Sequence, residues 1–133
     1  MSIDDSLVGR SYPSSAPYVV SAEKVREFAA AVGASWAPGA PIPATFPIII
    51  SGASMEVFLA DSGLELSRII HGEQRFEYAR PLAVGDVLTA AFSIASLRQI
   101  AGSDIIGAVT EIVDETGSLV CTAKATLIHR VAA

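Results

Sequence analysis

The chain has 133 residues, 14 acidic against 9 basic side chains, a formal net charge of −5 and 51% hydrophobic residues. That length makes one domain, 1–133, able to bury roughly two-thirds of its unfolded surface without a metal or disulfide staple. The composition excludes a disordered chain, and the negative charge disfavours a nucleic-acid partner. Cys121 is the single cysteine, so no internal disulfide can form and a reducing cytoplasm is the expected setting. The opening Met1-Ser2-Ile3-Asp4-Asp5 is acidic and reads as no signal peptide. Ser51, Gly52, Ser54 and Glu56 interrupt the best apolar run, so no membrane span of roughly 18 residues is expected.

In chain order, the first 17 residues, with their serines and prolines, read as an irregular lead-in, and Tyr18-Val19-Val20 as a short extended segment. Ser21 is a natural N-cap. From Ala22, Val25, Phe28, Ala29 and Val32 fall at i, i+3, i+4 and i+7, which predicts a helix that Gly33 stops. Pro38, Gly39, Pro41 and Pro43 then exclude regular structure between Ala34 and Pro43. A second helix is predicted from about Thr45 to Asp61, with Pro47 in its first turn and Gly63 closing it. Apolar residues surround it on nearly all sides, the pattern of a buried helix.

The second half alternates like strands. Arg68 to Arg80 sets Gln74, Phe76 and Tyr78 on one face, and Glu73, Arg75 and Glu77 on the other. His71, by the same count, falls on the outward face with Glu73 and Arg75. Further strands are predicted over Val87–Leu97, Ile105–Val113 and Leu119–Val131, with a loop tip at Gly102 and a hairpin connection at Asp114-Glu115-Thr116-Gly117. Leu119, Cys121, Ala123, Ala125 and Leu127 would share one face, small enough to let a helix approach closely. A buried helix followed by long antiparallel strands makes an α+β layer, whose open face and edge call for a second copy or a partner.

Two blocks carry a family resemblance. Ser6-Leu7-Val8-Gly9-Arg10 with Tyr12-Pro13 and Glu23-Lys24-Val25-Arg26-Glu27-Phe28-Ala29 form the first. His71-Gly72-Glu73-Gln74-Arg75-Phe76-Glu77-Tyr78, Arg80-Pro81-Leu82 and Gly85-Asp86 form the second and more specific. Together they resemble the MaoC-like dehydratase N-terminal family over almost the whole chain. The resemblance implies a hot-dog fold, a curved antiparallel sheet wrapped around a long central helix. It is strongest to the actinobacterial group that includes a non-catalytic subunit of a (3R)-hydroxyacyl-carrier-protein dehydratase. Active members of the family place an Asp and a His in the loop after the first helix. Dehydration of a 3-hydroxyacyl thioester needs a base for the α-proton and an acid for the leaving hydroxide. Here that stretch, Gly33 to Pro43, has no Asp, Asn or His and is shorter than in related subunits. No catalytic residue is therefore assigned.

The remaining candidates are few. Trp36, Ile48, Ile49, Met55 and Phe58 are the expected lining of an acyl channel. His71 and Glu73 could do acid–base work, but a structural or subunit-contact role outweighs it. Glu56, the lone carboxylate on the central helix, could activate water as in some hot-dog thioesterases; a surface pairing with Arg68, Arg75 or Arg80 is the plainer reading. His129 reads as a solvated terminal histidine, Cys121 as a small buried hydrophobe, Asp61 as a helix end and Asp86 as a turn residue. Two isolated histidines and one cysteine give no metal-ligand spacing, and no cofactor is expected.

Three functions compete. The first is a non-catalytic hot-dog subunit of a (3R)-hydroxyacyl thioester dehydratase, paired with a catalytic MaoC-like subunit and acting on acyl-CoA or an acyl-carrier protein. The second is an independent homodimeric hydratase or thioesterase using Glu56 or His71. The third is a non-enzymatic acyl-binding protein.

Overall fold

The computed structural model describes residues 5–13 and 16–130. The acidic opening at residues 1–4, Ser14, Ser15 and the predicted strand end at Val131 lie outside them. The elements are a short 3-10 turn Asp5–Leu7, β1 Ser11–Pro13, β2 Tyr18–Val19, α1 Ala22–Ala31, α2 Ile48–Ser62, a 3-10 turn Leu66–Arg68, β3 Ile69–Tyr78, β4 Val87–Ile100, β5 Ser103–Val113 and β6 Leu119–Arg130. The six-stranded sheet is antiparallel throughout, in the order β1-β4-β5-β6-β3, with β2 also on β4.

Local chemistry sets the boundaries. Ser21 caps α1, its Oγ accepting from Lys24 N–H at 3.1 Å. Gly63 ends α2 with φ 73, a left-handed conformation open to glycine at no steric cost. The start of α2 is later than Thr45: residues 45–47 form a tight turn, with Ile48 N–H on Thr45 O, and Pro47 is the cap. Positive φ at both Ala101 and Gly102 closes β4 onto β5, as a two-residue hairpin requires. The hairpin at Asp114–Gly117 forms as expected, with the Asp114 carboxylate accepting from Thr116 and Ser118 N–H.

The lead-in is not wholly irregular. Tyr12 of β1 is buried, pairs with Phe92, and sets its ring edge-on to Phe58 at 5.3 Å. Three residues are too few for alternation to show, so tertiary packing creates this strand. Phe58 stacks on Phe92 at 5.0 Å, and Ile94, Ile106 and Leu127 complete that half of the core. The other half gathers Val25, Ala29, Trp36, Phe46, Ile50, Leu88, Ile112, Val120 and Cys121 under α1 and the loop after it.

Two expectations about α2 change. It is not enclosed on all sides, because Ala53, Glu56, Ala60 and Asp61 are exposed. Nor does it settle on the small residues of β6; it lies over β1, β4 and β5. Ala123 and Ala125 instead leave a gap beside the helix. Leu119 leaves their face: a bulge at Val120 shifts the β5–β6 register, burying Val120 and Cys121 together while Leu119 stays 42% exposed.

Candidate functional site

The gap beside α2 is a pocket of about 150 Å³. Ile48, Ser51, Gly52 and Met55, spaced i, i+3, i+4 and i+7, present one helix face to it. Phe92, Ala108, Thr110, Ala123 and Ala125 of the sheet form the floor, and His71 and Gln74 of β3 close the side. The serines stay satisfied inside the helix: Ser51 Oγ donates to Ile48 O and Ser54 Oγ to Ser51 O.

His71 is not on the outward face. The register of β3 on β6 slips between His71 and Glu73, so His71 faces Leu127, Gln74 faces Ala125 and Phe76 faces Ala123. Gly72 is the extra residue of this bulge, and it rotates His71 onto the inner face while Glu73 and Arg75 remain outside. His71 Nε2 lies 2.8 Å from Gln74 Oε1. An amide oxygen only accepts, so in this pairing Nε2 is the donor. Glu73 is exposed, 3.5 Å from Arg75, and lines neither cavity.

A second, larger cavity of about 700 Å³ opens between the proline-rich loop and the segment after β3. Trp36, Pro38, Pro41 and Ile42 form one wall; Tyr78, Arg80, Leu82 and Val84 form the other. Trp36 Nε1 donates to Ala40 O at 3.0 Å, and Tyr78 OH donates to Ala44 O. Arg80 donates to Asp86 at 2.9 Å and meets Asp114 at 3.4 Å. Burial pushes the Tyr78 phenol up to about 12. The Asp114 carboxyl is held below its ordinary range, first by its hydrogen bond from the Thr116 hydroxyl.

The expected channel residues therefore divide. Ile48 and Met55 line the small pocket and Trp36 the large one. Ile49 packs against the core, and Phe58 is fully buried within it. Glu56 is exposed and makes no ion pair among the described residues. The arginines offered to it are engaged elsewhere, Arg68 with Glu65, Arg75 with Glu73 and Arg80 with Asp86 and Asp114.

His129 is the clearest correction. It is 2% exposed, its Nδ1 3.0 Å from the equally buried Asp104 directly opposite on β5. Gln99 donates to the other oxygen of Asp104 at 3.0 Å. Asp61 does more than end a helix, accepting from Arg10 at 3.1 Å and from Tyr12 OH at 2.9 Å. Cys121 is buried as expected, and burial raises its thiol. Among the described residues no group of three or more His, Cys, Asp or Glu side chains could hold a metal, and no helix is long and apolar enough to cross a membrane.

An antiparallel sheet curved against one long helix, with cavities at that helix and at the loop before it, defines the hot-dog fold of the acyl-thioester hydratases and dehydratases. Residues 6–123 match the model of the FAS1-like dehydratase domain region, and the chain belongs to that family. A UPF0336 protein of Streptomyces coelicolor is 43% identical over 147 positions, spanning 99% of this chain and 98% of the relative. The 3R-hydroxyacyl-ACP dehydratase HadBC complex of Mycobacterium tuberculosis superposes with a TM-score of 0.81 at 25% identity, over 92% of this chain and 96% of that one. The (R)-hydratase of A. caviae involved in PHA biosynthesis shares the fold at a TM-score of 0.66 and 19% identity, over 96% of this chain and 99% of that one.

Proposed function

We propose that this chain is the non-catalytic hot-dog subunit of a (3R)-hydroxyacyl thioester dehydratase, pairing with a catalytic hot-dog subunit and forming part of the acyl channel. The observation that carries the reading is the loop between α1 and α2. Residues 34–43 hold no side chain that titrates near neutral pH, where the resemblance to active members would put the base and the acid. In the complex the partner's Asp and His would take the α-proton and deliver a proton to the departing hydroxyl. This chain would supply apolar walls from Ile48, Met55 and Trp36. The free edge and unburied faces of β3 support a paired state. The heteromeric HadBC dehydratase is the precedent for such a pairing. The substrate is an acyl-CoA or an acyl-carrier-protein thioester.

One observation favours the second reading, an independent hydratase or thioesterase. The bulge at Gly72 turns His71 into the helix-side pocket, with its Nε2 2.8 Å from Gln74 Oε1. The test separates the two. Hydration of trans-2-enoyl thioesters is assayed with the chain alone and after co-expression with a MaoC-like protein that carries the Asp/His loop. The first reading expects turnover only in the complex, lost when the partner's Asp or His is replaced. Turnover by the isolated chain that disappears in His71→Ala overturns it.

A further inference from the structure

The face of the sheet turned away from α2 carries an apolar stripe at one end. Burial alternates along β5 and β6: Asp104, Ile106, Leu127 and His129 are buried on the helix side, so Ile105, Ile128 and Arg130 point outward. The register sets Ile70, Ile128, Ile105 and Arg98 in one row across β3, β6, β5 and β4, and Arg130, Ser103 and Ile100 in the next. Ile70 and Ile100 are 49% and 51% exposed. The isoleucines of the first row thus make a stripe across neighbouring strands, framed by Arg98 and Arg130.

Neither arginine is matched. Among the described residues Arg98 and Arg130 make no ion pair. The carboxylates of β3, of β5 at this end and of the turn before β3 are engaged: Glu73 by Arg75 at 3.5 Å, Asp104 by His129 on the opposite face, and Glu65 by Arg68 at 3.6 Å. The chain as a whole has a net charge of −5, so two uncompensated cations beside exposed isoleucines go against its composition. A single exposed apolar side chain is ordinary; a stripe framed by arginine has the make-up of an interface.

Charge, spacing and size choose the occupant. Carboxylates would complete Arg98 and Arg130. Neighbouring strands lie about 4.8 Å apart, so the stripe repeats at that interval over roughly 10 Å. An α-helix laid across the strands presents residues i, i+4 and i+7 at nearly the same interval, about 5.4 Å per turn. An anionic membrane or a nucleic acid is broad enough to meet the negative charge of the whole chain, whereas one helix meets only the patch, because charges act over a Debye length of about 8 Å. A second copy placed face to face would bring arginines together with no free carboxylate of the patch between them.

We propose that this outer face docks an acidic amphipathic helix of another protein, its apolar residues on the isoleucine stripe and its carboxylates on Arg98 and Arg130. The proposal goes beyond the dehydratase reading and does not need it. Ile70 lies eight residues along β3 from Tyr78 of the large cavity, about 26 Å, and the helix-side pocket is on the other face of the sheet. An occupant here leaves both cavities free. The surface recruits a partner; it does not admit a substrate.

The test is fluorescence anisotropy of a labelled helical peptide of about 15 residues, with leucines at i, i+4 and i+7 and glutamates flanking them, titrated with the purified chain. Saturable binding that weakens as salt is raised is the expected result. Arg98→Glu combined with Arg130→Glu should weaken it about tenfold or more, with far-UV circular dichroism unchanged. Ile70→Ser, at a half-exposed position, should weaken it about threefold or more. Lys124→Glu reverses a charge on the same face outside the stripe, beside Glu77, and should leave binding within about twofold. A peptide with lysines for glutamates should not bind. One with its leucines at i, i+2 and i+5, which no single helix face collects, should bind about tenfold more weakly.

No saturable binding of the acidic peptide overturns the proposal. So does binding that the double arginine variant leaves unchanged, or that Lys124→Glu weakens as much, since net charge would then be the cause. Preference for phosphatidylserine over phosphatidylcholine vesicles, lost in the double variant, would assign the surface to a membrane and overturn the helix. Because the readout needs neither turnover nor a catalytic subunit, failure of the dehydratase reading would leave this one standing.

Discussion

Strands β5 and β3 carry the same period-two pattern and meet different fates. On β5, Asp104, Ile106, Ala108, Thr110 and Ile112 alternate as fully buried residues, held between β4 and β6. On β3, Ile69, His71, Gln74, Phe76 and Tyr78 face the same side of the sheet, and none is fully buried. Alternation assigns a face; only a neighbour buries it. β5 has a strand on each side, whereas β3 ends the sheet, with one edge unpaired among the described residues. The molecule is thus finished at its centre and unfinished at one margin, as expected of half of a larger sheet.

The contrast can be broken first through the core. Phe58→Ala, at 0% exposure beneath β4, should cost about 3–5 kcal/mol of stability in urea unfolding. Phe76→Ala, half-buried on β3, should cost the isolated chain less than about half of that. Equal losses would mean that β3 is already covered. Two cross-strand polar pairs sharpen the point. His129→Ala removes a buried hydrogen-bond partner of Asp104 and should cost about 1–3 kcal/mol. Lys124→Ala breaks the exposed pair with Glu77 and should cost no more than about 1 kcal/mol.

Assembly should follow the margin. The chain alone is expected to be at least dimeric by light scattering at micromolar concentration, and Phe76→Lys should shift it towards monomer while leaving its thermal transition cooperative. A clean wild-type monomer would count against an unfinished sheet. The smallest effect is a titration. Tyr78 holds its proton in the native state up to about 12, so what this adds to stability is intact below the ordinary tyrosine value of 10 and is lost as the pH rises through that higher value. Ultraviolet absorbance should show a late phenolate phase that Tyr78→Phe removes. A phase no later than those of the other tyrosines would show that the loop does not cover Tyr78.

Much of the fold was legible because it rests on repeated local signals. Ser21, the i, i+3, i+4 spacing of α1, Gly63 and the two hairpins each act through their own few residues. The site was less legible, and the reason is the same at two places. A bulge adds one residue, and every residue beyond it changes face. Counting back from the Asp114–Gly117 turn without the bulge at Val120 sets Asp104 opposite Ile128; with it, Asp104 meets His129. Counting through Gly72 sends His71 outward; the bulge brings it in beside Gln74. The glycine in His71-Gly72-Glu73 was the available hint, since an isolated glycine in an alternating strand often marks such a slip. β1 was hidden differently, because its one anchor, Tyr12, is held by partners on α2 and β4 far along the chain. The large cavity was hidden because a loop's own residues do not say what stands opposite it.

Arg80 ties its own turn, which runs to Asp86, to the hairpin at Asp114, 34 residues further along the chain. The wall of the large cavity is therefore propped from behind by a hairpin that never touches the contents. A change at Asp114, or Arg80→Lys, which keeps the charge but loses the planar fork, would let that wall relax inward or outward with every lining carbon conserved. The size of the cavity could then drift during evolution through residues that a survey of its surface would pass over. A designer wishing to retune its dimensions has a handle in the Asp114 hairpin, outside the lining.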